Sequence, residues 1–288
     1  MPVLRYRSGR SGSLLAGSVA TLFLSMLVFP CWLAAQEQIG LDTTEAVDID
    51  AAMGATGKPS PWDIRLGVLA AISSKYDGSD AYEVSAVPYA RISWNDRIIY
   101  RGRSLEANIY RSESLRIGPM VRSRGGRDEN DDGVLNGLGD VDRAYEVGAF
   151  ARLKRGPVRL RFNAVHDVAG AHDGLVLDFS AGLQLPMKNP WLSLRVATTW
   201  VDDNYMTSYF GINTVQAARS ALGPFTARSG IKDVRVTAGS RIALNAHVSA
   251  LLSVGYTRLI GDAGDSPIVA KHGDADQNFA AIGAVYSF

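Results

Sequence analysis

Along residues 278–288 every second side chain is apolar or aromatic: Ala280, Ile282, Ala284, Tyr286 and Phe288 share one face of an extended chain. Side chains of a strand point alternately to opposite faces, so such a row gives one apolar surface backed by a mixed one. That is how the closing strand of an outer-membrane β-barrel reads, with Tyr286 and Phe288 as the signal for barrel-assembly machinery. It predicts an all-β protein, an antiparallel transmembrane barrel in the outer membrane surrounded by lipid and lipopolysaccharide.

The same period recurs upstream. Leu175, Leu177, Phe179, Ala181, Leu183 and Leu185 alternate with Val176, Asp178, Ser180, Gly182 and Gln184. Segments at 145–153, 158–164, 192–200 and 234–242 behave alike, and about ten residues suffice for a tilted strand to cross a bilayer. Charged residues make up 20% of the chain. A bundle of membrane helices would not tolerate that content, whereas a barrel with a polar interior does. A soluble β-sandwich alternates equally well. The leader, the terminal Phe288 and the aromatics Trp62, Trp94, Trp191, Trp200 and Tyr256 near strand ends favour the membrane.

Arg5, Arg7 and Arg10 precede an apolar run from Leu14 to Phe29, followed by Ala34 and Ala35, the layout of a cleaved secretory signal over 1–35. Removing three arginines and no acid turns the formal charge of +1 into −2, which gives nucleic acid no purchase. The single cysteine, Cys31, falls in this leader. Residues 36–60 lack periodicity and end in Pro59-Ser60-Pro61, reading as a flexible periplasmic segment; 61–288 would form the barrel.

Connections alternate between short turns, at Asn95-Asp96, Arg111-Ser112, Arg155-Gly156, Met187 to Asn189 and Asn245, and long polar loops at 73–81, 125–142, 204–230 and 262–276. Short turns are periplasmic and long loops extracellular in such barrels. The count is twelve strands if 97–110 is split at Gly102, and a ten-strand alternative stands beside it. Pro88 and Pro119 fall inside strands, where a missing amide implies a bulge or an edge.

The register turns Arg65, Glu146, Arg152, Arg159, Arg161, Asp178, Arg195, Arg235 and Arg241 inward. They line either an arginine-rich conduit for small acidic solutes or a cylinder closed by paired charges. Asp128, Asn130 and Asp132, followed by Gly133, match the first half of a calcium loop. The acid expected at the twelfth position is missing, with Gly139 there, so a solvated acidic loop competes with calcium binding; no other cofactor is implied. An enzyme is not expected: His166 faces outward, His172 and His272 fall in loops, His247 is placed toward the lumen, and no serine is paired with a base.

Two segments carry a family resemblance. Residues 126–142, GRDENDDGVLNGLGDVD, run into Tyr145-Glu-Val-Gly148, and residues 209–220, YFGINTVQAARS, precede Leu222-Gly-Pro-Phe-Thr-Ala227 and Gly230. They resemble the MltA-interacting protein family (MipA/OmpV), from about Trp62 to Phe288. The resemblance implies an outer-membrane barrel acting as a scaffold between a lytic murein transglycosylase and a peptidoglycan synthase. The second of these segments either folds inward across the lumen or forms a short helix over the strand ends, with a ligand site there as a further option.

Overall fold

The computed structural model describes residues 60–185, 187 and 191–288. The expected leader and all but the last residue of the expected flexible segment lie outside them, as do Lys188 and Asn189 of one expected turn.

One antiparallel sheet contains every described strand: β1 (Trp62–Ser74), β2 (Tyr82–Trp94), β3 (Ile98–Arg101), β4 (Ser104–Ala107), β5 (Tyr110–Arg111), β6 (Leu115–Arg124), β7 (Ala144–Arg155), β8 (Val158–Asp167), β9 (Leu175–Leu185), β10 (Trp191–Val201), β11 (Gly230–Ala243), β12 (Val248–Leu259) and β13 (Asp276–Ser287). β13 pairs with β1, and β4 pairs with β6 across the short β5, so the sheet closes into a ring of 12 strands with β5 as an extra pairing on β6. Closure matters because the hydrocarbon core offers no water to an unpaired backbone group. The division at Gly102 (φ 52) is a true hairpin turn between β3 and β4, which removes the ten-strand count.

Turn chemistry fixes one end of the barrel. Asn95 and Asp96 have φ of 50° and 53°, the left-handed pair of a two-residue hairpin turn, and Gly156 has φ 57°. Long connections at 75–81, 125–143, 168–174, 202–229 and 260–275 gather at the other end. Between the ends the alternation holds: on β9, Leu175, Phe179, Leu183 and Leu185 face outward, whereas Val176, Asp178, Ser180 and Gln184 are buried. Val84, Val68, Ile282 and Val254 on other strands carry the same outward apolar surface, which lipid covers.

Aromatic side chains mark both rims. Trp62 pairs directly across from Trp94, ring centroids 6.4 Å apart, at the turn end. Nearby, Tyr286 contacts Phe288 edge-on at 4.8 Å, and Phe288 N donates to Ile64 O, tying the last residue to β1. His247 does not enter the lumen as expected. The Asn245 side chain caps its turn by accepting from His247 N and Val248 N, and this swings the imidazole onto Tyr286, stacked at 5.5 Å. Tyr256 and Trp200 sit near the loop end.

The weakest seam runs through the short strands β3 to β5, and both prolines lie on it. β3 accompanies β2 only from Arg91 to Trp94, and beyond it the Ala90 carbonyl accepts from Gly102 N. Backbone groups of alternate residues point to the same side, so the nitrogen of Pro88 is directed where β3 no longer runs alongside. Pro119 stands opposite the break at Asn108-Ile109 between β4 and β5, on the side where Ile117 O accepts from Ile109 N. The broken strand presses on β6 there: a Cβ on Gly118 would lie 1.7 Å from Ala107 O. Gly118→Ala is therefore expected to destabilise the folded barrel by about 1–3 kcal/mol, whereas Gly133→Ala, with nothing within 4 Å of its Cβ, stays within about 0.5 kcal/mol. Urea unfolding in detergent, followed by tryptophan emission, compares them; equal midpoints would show that the seam opens without cost.

Candidate functional site

The interior begins with charges that the strand period forces inward. Glu106 on β4 is fully buried and meets three arginines: Arg101 of β3 at 3.3 Å, Arg161 of β8 at 2.8 Å, and Arg152 of β7. Glu146 on β7, equally buried, bonds Arg122 and Arg124 of β6. Arg122 also reaches Asp178 on β9 at 2.6 Å, a chord spanning three strand spacings. Near the turn end Asp63 holds Arg65 at 2.9 Å and Arg91 at 2.8 Å. Charges removed from water persist only when paired in this way. The remaining expected inward residues take neighbouring partners: Arg235 donates to Thr257, Arg241 to Ser249, and Arg159 to the carbonyls of Gly156 and Val158, while Arg195 lies half-buried on β10. The opposite wall is apolar, packed from Leu69, Val87, Leu251, Phe279 and Val285.

One interior cation breaks the period. Thr199 pairs with Asp233 but Trp200 with Ile231, leaving Lys232 as the extra residue of a β-bulge. Strict alternation would send either Lys232 or its neighbour Asp233 into lipid; the bulge turns both inward. Lys232, 3% exposed, lies 2.7 Å from Asp233 and 2.8 Å from Asp77 in the β1–β2 loop. Burial opposes ionisation of Asp77, yet the Lys232 ammonium outweighs it and holds this carboxyl below the usual carboxylate range.

The long loops pack over one end of the barrel. Helix α1 (Asp203–Phe210) starts at Asp202, whose carboxylate accepts from Tyr205 N, and lays Tyr205, Met206, Tyr209 and Phe210 onto Met120, Phe150, Val165, Val176 and Leu259 of the wall. Helix α2 (Thr214–Arg219) follows through a capping box of Asn213 and Gln216. Short helices α3 (Gly261–Asp265) and α4 (Pro267–Ala270) add Ala263 and Val269, and Ser266 between them donates to Phe210 O. Beneath α1, His172 lies 4.9 Å from Tyr205, edge-on, and 3.2 Å from Glu146. Gly174 N donates to its Nδ1, so Nε2 carries the proton toward Glu146.

The acidic residues of 125–142 serve their own backbone. Asp128 accepts from Asn130, Asp132 caps the 3-10 turn Gly133–Leu135, and Glu129 accepts from Gly137 N and Gly139 N. Asp128 Oδ1, Asp132 Oδ1 and the Asn130 amide nitrogen thus bond within the loop. Among the described residues, no three His, Cys, Asp or Glu side chains gather as a metal set.

The profile of the family described as MltA-interacting protein MipA matches residues 66–288. The chain belongs to this family. It is also 24% identical over 160 residues to the putative outer membrane protein YiaT of Escherichia coli (strain K12), over 54% of this chain and 62% of YiaT, and equally to YiaT of Escherichia coli O157:H7. The chain thus spans less than two thirds of the length of these curated relatives. Among solved structures, the NanC porin aligns with 77% of this chain and 98% of its own at 10% identity and a TM-score of 0.43. An outer-membrane channel of Pseudomonas putida F1 aligns with 82% and 99% at 11% identity and the same TM-score, 0.43.

In this MipA-family barrel, an outer-membrane protein by fold and family, the two segments that carry the resemblance meet in the lid. Arg127 Nη1 donates to Tyr209 O at 2.7 Å, Tyr209 OH to Gly125 O at 3.3 Å, and Gln216 Nε2 to Leu138 O at 2.6 Å. Leu135, Leu138, Ile212 and Leu222 pack between them with Tyr76 and Ile268. Segment 209–227 starts as the buried end of α1 against the wall and continues as the short helix α2, in keeping with the helical reading.

Two outcomes test the braced interior. Glu106→Gln removes the carboxylate shared by Arg101, Arg152 and Arg161 and is expected to cost about 3–5 kcal/mol in the same urea unfolding; a loss under about 1 kcal/mol would mean water reaches the site. Asp77 has a depressed folded-state pKa, so its contribution is complete above the ordinary carboxylate range and fades only as pH falls through its lowered value. Proteolytic nicking of the β1–β2 loop should accordingly stay constant from pH 7 to about pH 4 and rise below it.

Proposed function

We propose that the protein is a non-enzymatic, non-conducting outer-membrane scaffold that docks a lytic murein transglycosylase, and through it a peptidoglycan synthase, at the periplasmic face. The observation that supports this reading is the packing at the loop end, where α1 and Val141 lie on wall residues in one apolar cluster and Leu135 and Leu138 of the 125–142 loop join Ile212 and Leu222 in a second. The cross-strand ion pairs beneath it obstruct the interior further. A barrel whose outer mouth is filled by its own loops has its working surface on the inner side, and the family's description as MltA-interacting supports the same reading. The docking surface comprises the short turns at Asn95-Asp96, Gly156 and Asn245, together with the acidic segment 36–60. Tyr286 and Phe288, exposed at the same rim, serve as the handle for barrel assembly.

The non-enzymatic reading rests on the histidines. His172 is engaged by Glu146 and the tyrosines of α1, and His166, His247 and His272 are exposed and apart. Nucleophilic catalysis requires a base within hydrogen-bond reach of a serine or cysteine.

Photoreactive residues placed at Asp96, Gly156 and Asn245 and within 36–60 in intact cells are expected to capture a murein transglycosylase or synthase, identified by mass spectrometry. The purified barrel in a planar bilayer is expected to show no reproducible conductance steps. Steps that small acidic solutes block would instead establish the channel reading.

A further inference from the structure

Among the described residues, Arg127 is a buried cation that stands outside the interior ion pairs. Arg127, 6% exposed, forms a β-bridge with Val141 and donates from Nη1 to the Tyr209 carbonyl, a neutral acceptor. Its Nε is buried without a hydrogen-bond partner; among the described residues the carboxylates of Asp131 and Asp140 act on it electrostatically, without an ion pair at contact distance. Glu146 and Asp178 answer Arg122, and Asp77 and Asp233 answer Lys232. A guanidinium does not deprotonate in a protein, so burial with carboxylates only beyond contact distance leaves its charge incompletely compensated.

Arg127 lines a cavity of about 50 Å³ at the extracellular mouth. One water needs about 10–15 Å³ by this measure, so the space holds several waters or a single oxyanion head group, not a whole sugar. Lys75 stands in the same wall with its ammonium on the Asp131 carbonyl at 3.3 Å, again a neutral acceptor. Backbone of Gly125 and Gly126 completes the floor, with Tyr76, Tyr205 and Tyr209 around it. Burial pushes the Tyr76 hydroxyl up to about 12 and the Tyr209 hydroxyl up as well. At neutral pH both phenols are uncharged, so neither balances Arg127. Asp77, the acid in the lining, is committed to Lys232.

We propose that this cavity is a binding site for an oxyanion head group, a carboxylate or phosphate, with Arg127 as its counter-ion, Lys75 as a supporting cation, and Arg103, Arg122 and Arg124 in the same lining. A forked guanidinium matches two oxygens of such a group, and a charge-assisted pair in a partly dry cavity is stronger than one at the surface. The site reads ligands from outside the cell and is independent of the periplasmic docking proposed above.

The test is calorimetric titration of the full-length barrel in detergent with inorganic phosphate and, separately, acetate, at constant ionic strength. Saturable binding of at least one probe is expected, weakened about tenfold or more by Arg127→Gln, less by Lys75→Gln, and partly restored in Arg127→Lys. Heat-modifiable mobility on gels reports whether each variant has folded. Should Arg127→Gln not fold, Lys75→Gln and a phosphate-dependent rise in the thermal midpoint of the unmutated barrel decide. No saturable heat and no midpoint shift with either probe, or unchanged binding in the folded variants, would overturn the proposal. Repeating the titration with lipopolysaccharide in the micelles separates the sources: competition assigns the oxyanion to lipid phosphate, its absence to a soluble solute.

Discussion

Everything in this barrel depends on backbone hydrogen bonds that have no water to fall back on. A sheet in lipid must close, and closure here runs through the short β3, β4 and β5, where the wall is thinnest. The seam survives because residues unable to pair or unable to crowd are placed where pairing stops. Pro88 and Pro119 lack the amide that would otherwise be stranded, and Gly118 lacks the Cβ that would strike Ala107 O. In a soluble sheet the same residues would mark an edge; in a ring they mark the joint.

Closure also decides where charge goes. Once the outer row of every strand must be apolar, the inner row receives the arginines and acids, and burying them is tolerable only if they meet. Glu106 gathers arginines from three strands, and Arg122 of β6 joins Glu146 on β7 to Asp178 on β9, so the ion pairs run as chords and not merely as rungs between neighbours. Such pairs need not add net stability against an apolar filling, but loss of one partner is costly. That asymmetry makes the interior rigid in composition as well as in shape.

What the sequence discloses divides along the same line. Strand positions were legible because a period of two has no competing explanation over ten residues, and turn positions because Asn95, Asp96, Gly102 and Gly156 supply the left-handed conformations that turns need. The prolines were legible as irregularities, and the structure shows which kind. The bulge at Lys232 was not: one inserted residue leaves the flanking alternation intact, and only pairing with β10 reveals the slip. Nor were Glu106 with its three arginines, or His172 beneath α1, since their partners lie 26 or more residues away along the chain in most cases and are chosen by register and loop packing. His247 was misplaced because a side-chain cap from Asn245, a local bond outside the strand period, governs its direction.

The two ends of the molecule are consequently made of different material. The turn end is specified by a few residues each, acting locally, and offers a partner a rim of short turns whose shape hardly depends on the rest of the chain. The loop end is specified by contacts between distant segments: Arg127 with Tyr209, Leu138 with Gln216, Lys232 with Asp77. Any ligand entering the Arg127 cavity touches three of these segments at once, the β1–β2 loop, the 125–142 loop and α1. Binding there would tighten the lid as a unit, since a counter-ion for Arg127 is felt by every segment that shares its cavity. The interior between the ends is braced by chords anchored in the strands themselves, so the outer mouth and the turn rim are separated by a wall tied across several strands. The proposed oxyanion site and the proposed docking surface thus stand at opposite ends of that braced wall.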